Sequence, residues 1–185
     1  MARPQSASDE EIVVRVAEAL AGREWPQAAW TLAEVAPAAQ LSPAGLVKRF
    51  GSRAGLLRAL GAHWVATIPE SPIGQDSPIA ELRAFARDTF GAPTAAAALA
   101  GIGDLFADLA DEGTSATLRA GNAKQRRYVA ELLRKAAGPR AGEPDRAAGA
   151  LLDALHGGML RWATGGDGTA VTTDDTIDYF LELWT

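Results

Sequence analysis

A chain of 185 residues without a cysteine holds neither a disulfide framework nor a thiolate metal site, and that composition fits a reducing cytoplasm better than a secreted setting. Its net charge of −5 argues against a protein that coats nucleic acid over its whole surface. The longest apolar run, Thr94 to Leu99 with the glycines after it, is broken by Asp104 and is too short to span a bilayer, and the N-terminus has no signal-peptide core.

Nearly every patterned segment has helical period, so the expected fold class is all-α, with about nine helices. Residues 1–7 read as a flexible arm. Ser8 and Glu11 form a capping box, after which Ile12, Val16 and Leu20 share one face of a helix that ends near Gly22. Thr31 is the next N-cap, followed by Leu32 and Val35 at helical spacing. Ser42 caps a third helix, with Pro43 at the first helical position, where its fixed φ helps and its missing N–H costs nothing. Leu41 and Leu46 flank that cap and are placed to point back at Leu32 and Val35. Gly51 and Ser52 close this helix and begin the next, which carries Leu56, Leu60 and Trp64 on one face.

Two short helices joined by a tight turn, followed by a third helix, make a helix-turn-helix arrangement, whose second helix enters a DNA groove. Its free face would hold Gly45 and Val47 near the base edges and Lys48 and Arg49 near phosphates. Residues 42–58 contain Lys48, Arg49, Arg53 and Arg58 and no acid, so one small basic region stands out in an acidic chain. Pro37 falls inside the short second helix, deleting the N–H that would bond to Ala33, and predicts a kinked or short helix.

The stretch PESPIGQDSP, residues 69–78, is rich in proline and turn formers and is the expected boundary between a domain over residues 1–68 and a second over 69–185. Helices are expected beyond it at about Ile79–Phe90, Thr94–Ala110, Ser115–Ala137, Pro144–Ala163 and Thr173–Trp184. Leu151, Leu155, Met159 and Trp162 stripe one of the last two helices, and Ile177, Phe180, Leu181 and Trp184 the other. Packing on a second copy would cover both stripes and make a homodimer. Phe85, Phe90, Phe106, Asn122, Tyr128, His156 and Trp162 are the candidates to line a small-molecule pocket. Asp153 and His156 could share a face as an acid and base. With two histidines, no cysteine and no glycine-rich loop after a strand, neither catalysis, a metal nor a cofactor is expected.

The segment LSPAGLVKRFGSRAGLLRAL resembles the DNA-binding domain of tetracycline-repressor-like (TetR family) transcriptional regulators, matching at Leu41, Ser42, Leu46, Phe50, Gly51, Ser52, Arg53, Leu56 and Leu57. The resemblance covers the first third of the chain. Gln40 stands where many members have glycine in the turn, and Val47 where many have tyrosine. The resemblance implies a cytoplasmic, homodimeric regulator, in most cases a repressor, that binds operator DNA and is modulated by an effector held in the C-terminal domain. Thr31, Ser42, Pro43, Ala44, Gly45, Val47, Lys48, Arg49, Ser52 and Arg53 would then meet DNA. The alternative is the same fold binding a small molecule or lipid without sequence-specific DNA reading.

Overall fold

The computed structural model describes residues 7–21, 30–74, 77–92, 94–99, 111–137, 143–165 and 172–184. The elements are α1 (Asp9–Ala21), α2 (Leu32–Ala39), α3 (Pro43–Phe50), α4 (Arg53–Thr67), α5 (Pro78–Phe90), α6 (described over 95–99), α7 (Glu112–Ala137), α8 (Pro144–Ala163) and α9 (Thr173–Trp184). Among the described residues there is no strand. The fold is all-helical, as the sequence predicts.

Local chemistry explains where the helices begin. At α1 the Ser8 N–H donates to Glu11 at 2.7 Å while the Glu11 N–H donates to Ser8 Oγ at 3.1 Å. Thr31 and Glu34 repeat this box at α2, with bonds of 2.6 and 3.3 Å. Ser42, Ser52 and Ser77 accept from Gly45, Gly55 and Ala80 at α3, α4 and α5. Each such bond satisfies an N–H that the first helical turn would leave unpaired. Helix α7 starts three residues before the expected Ser115, because Asp111 accepts from the Thr114 N–H at 2.9 Å.

Helix α2 has eight residues despite Pro37. Pro37 and Ala33 are both solvent-exposed, so the carbonyl deprived of a partner faces water rather than the core. The helix ends in a paired reversal: the Gln40 N–H donates to Pro37 O at 3.0 Å and the Leu41 N–H to Ala36 O at 3.1 Å. Gln40 is held at φ 54°, the left-handed region that favours glycine. Gln40→Gly should therefore raise the unfolding free energy by about 1 kcal/mol. The shift would be read as a higher urea midpoint at unchanged slope; a lower midpoint would contradict it.

Two buried clusters organise the chain. One joins Ile12 and Val16 of α1, Trp30, Val35 and Ala39 with α2, Leu46 of α3 and Leu56 of α4. The other joins Leu82 and Phe90 of α5, Tyr128, Leu132 and Leu133 of α7, Leu151 and Leu155 of α8 and Ile177 of α9. Helix α4 connects them, packing on α1 and α3 and also on α7. Its expected single face is thus divided: Leu56 and Leu60 join the first cluster, while Trp64 lies against α7.

Three of the eight side chains expected at a dimer interface are already buried within the chain. Leu151, Leu155 and Ile177 lie inside the second cluster, and Phe180, Leu181 and Trp184 are partly buried against it. Met159 and Trp162 pack with Ala98 and Ala163. For Leu151, Leu155 and Ile177, helices α5 and α7 supply the apolar cover expected from a second copy; the other five side chains keep part of their surface free. The large apolar side chains that α8 and α9 leave in solvent among the described residues are Leu160, Tyr179 and Leu183, exposed by 47, 61 and 62%.

Candidate functional site

Helix α3 is held down by one fully buried side chain, Leu46, with Leu41 and Phe50 partly buried around it. Apart from Gly45, the rest of it faces outward. Pro43, Ala44, Val47, Lys48 and Arg49 are exposed, as are the capping residues Ser42 and Ser52 and, at the start of α2, Thr31. Gly45 is half-buried, and a methyl added there would meet Ser42 Oγ at 3.4 Å and Leu41 at 3.5 Å, which are ordinary contacts. Packing therefore does not demand glycine at this position, whereas close approach by another molecule would.

The four cations of the region are not equivalent. Arg49 pairs with Asp9 at 2.8 Å and donates to the Ala7 carbonyl, fastening the start of α1 to α3. Arg53 donates from Nε to the Trp30 carbonyl at 2.8 Å, and its guanidinium carbon lies 4.2 Å above the Trp30 ring. Arg58 reaches Asp111 at 3.5 Å, linking α4 to the cap of α7. Lys48 is exposed and has no charged or hydrogen-bonding partner among the described residues. The basic cluster seen in the sequence is thus mostly engaged within the chain.

The C-terminal half contains a cavity of about 500 Å³ between the end of α4, the following loop, α5 and α7. Trp64, Glu81, Phe85, Asp88, Gln125 and Tyr128 contribute to its wall. Phe85 and Tyr128 meet edge to face at 5.1 Å. Burial works against the Glu81 charge, but N–H groups of Ile73 and Gly74, the Tyr128 hydroxyl and the pull of Lys135 outweigh it and hold the carboxyl below its ordinary range. The Tyr128 hydroxyl is pushed well above its ordinary value by burial and by donating to Glu81 at 2.7 Å. Its proton stays in place and ties α7 to α5.

The seven pocket candidates do not converge. Phe85 and Tyr128 line this cavity, whereas Phe90 and Trp162 line a second one of about 360 Å³ among α5, α8 and α9. Asn122 is exposed on α7. His156 is exposed too; its Nδ1 lies 2.8 Å from the Leu152 carbonyl and its ring stands edge-on to Phe90 at 4.7 Å, so it forms no pair with Asp153. Phe106 lies outside the described residues. Trp64, Glu81 and Gln125, which are not among the seven candidates, also line the first cavity. Gln125 had a readable signal, since it shares a helical face with the buried Tyr128, Val129 and Leu132, where a polar residue is out of place.

Among the described residues no group of histidine, aspartate or glutamate side chains could hold a metal, and no helix is long and apolar enough to cross a membrane. No protein-family profile and no curated protein matches the chain. Among solved structures, a Rhodococcus sp. protein assigned to the TetR family of transcriptional regulators is similar at 21% identity and a TM-score of 0.55, over 95% of this chain and 96% of that one. The two share a fold along nearly their whole lengths.

Proposed function

We propose that this chain, with its TetR-like fold, is a DNA-binding transcriptional regulator, a repressor acting as a homodimer, whose operator affinity changes when a small molecule enters its C-terminal domain. The observation that carries this reading is α3: one buried leucine holds it, and its opposite face offers Pro43, Ala44, Val47 and Lys48 to solvent. Small side chains let backbone approach base edges while a cation meets phosphate. Thr31, Ser42, Gly45 and Ser52 border that face. Arg49 and Arg53 act through their partners, Arg49 fixing α1 and Arg53 fixing Trp30. Two copies would meet through the outer faces of α8 and α9 around Leu160, Tyr179 and Leu183, setting two α3 helices about one DNA turn apart.

The test is titration of the purified protein against DNA from upstream of its own coding sequence at several salt concentrations. Tight binding that weakens with salt is expected. Lys48→Ala should weaken it and reduce the salt slope by about one. Arg53→Ala should lower stability while leaving the slope within about half a unit, because its guanidinium is directed at Trp30. No saturable binding above the non-specific level would overturn the proposal. It would favour the second reading, a small-molecule or lipid carrier of the same fold, to which the engagement of three of the four cations within the chain lends support.

A further inference from the structure

The 500 Å³ cavity has a chemical bias of its own. Gln125 is 2% exposed, lines the cavity, and makes no hydrogen bond to any described residue. Its amide is not sealed from solvent, so this otherwise buried side chain opens its polar end to the cavity, where a ligand polar atom would be met. Glu81 and Asp88 bring two carboxylates to the same wall, and Asp88 has no partner among the described residues. No lysine, arginine or histidine lines the cavity among those residues, and Lys135, whose charge reaches Glu81, lies outside the lining. The nearby Lys124 turns away, its ammonium bonding to the Val65 carbonyl at 3.0 Å and pairing with Glu70 at 2.8 Å. Trp64 and Phe85 supply aromatic surface beside the carboxylates.

We propose that this cavity selects a lipophilic organic cation, a protonated amine on an apolar body. The ammonium would sit between Asp88 and Glu81, the body would lie against Trp64 and Phe85, and a donor of the ligand would meet the Gln125 carbonyl. Two carboxylates and aromatic faces attract a cation and repel an anion of the same size. The inference rests on the regulator reading in taking this cavity as the effector site, and it names the class of effector.

Three dansyl probes that share one fluorophore test it: dansylcadaverine, a cation; dansylamide, neutral; and dansylglycine, an anion. With the full chain, dansylcadaverine should saturate with blue-shifted emission and bind about tenfold more tightly than dansylamide, with dansylglycine weakest. Asp88→Asn removes one charge at an exposed position, so it should weaken dansylcadaverine about three- to tenfold and leave dansylamide unchanged. Gln125→Leu should weaken dansylcadaverine as well. Equal binding of all three, preference for dansylglycine, no saturable binding, or an Asp88→Asn variant indistinguishable from the parent would each overturn the assignment. If a neutral or anionic probe binds and releases DNA, the regulator reading stands and the cation falls. If the cation binds as expected and no duplex is bound, the cation stands and the DNA reading falls.

Discussion

Leu46→Ala should lower the unfolding free energy by about 2–5 kcal/mol and abolish any specific DNA binding. Leu46 is fully buried and is the only such residue on α3, so truncation leaves a cavity where α3 meets α1, α2 and α4. A loss of that size is a large part of the about 5–15 kcal/mol that holds a typical domain folded. Its effect should be regional. Leu46 belongs to the N-terminal cluster, whereas Leu132, Leu133 and Leu151 belong to the other. Hydrogen exchange should therefore show the amides of α3 losing protection first, while those of α7 and α8 keep theirs. Equal loss in both clusters would mean that the chain unfolds as one unit through α4.

Gly121→Ala is expected to destabilise the fold although alanine is the better helix former. Inside α7 the exchange alone would add about 1 kcal/mol of helix propensity. Against this, a methyl at position 121 would stand 2.1 Å from the Trp64 ring, far inside contact distance. Overpacking of this kind costs about 1–3 kcal/mol, so a net loss of up to about 2 kcal/mol should appear as a lower urea midpoint. A rise in stability would mean that the ring swings aside freely. Gly61 approaches Thr117 and Gly113 approaches Arg58 in the same way, at 2.9 and 2.8 Å from an added methyl. Helices α4 and α7 are thus in close contact at three glycines. Because Trp64 also lines the 500 Å³ cavity, the substitution should weaken dansylcadaverine binding along with stability.

The residues differ in how legible they are. Ser8, Thr31 and Ser42 can be read as helix starts because each cap involves groups three residues apart. Pro43 is consistent with its neighbours for the same reason. Arg49 and Arg53 carry their charge openly in the sequence, but their partners, Asp9 and the Trp30 carbonyl, come from elements far along the chain. Periodicity marks Leu151, Leu155 and Ile177 as needing apolar cover without saying whether a second copy or α5 and α7 provide it. Gln125 sits between these extremes. Its place on an apolar face is visible, while its lack of a hydrogen-bonding partner emerges only when α4, α5 and α7 are assembled.

The sequence by itself determined where most helices start, their order, and the pair of short helices with α3 as the outward-facing one. Those features depend on capping bonds and apolar spacings within one or two helical turns. The tertiary structure decided which cations remain for a partner, which apolar stripes are already covered, and that Trp64, Glu81 and Gln125 share one cavity. These outcomes depend on side chains brought together from distant elements, and pattern within a helix specifies the face that must be buried but not what buries it.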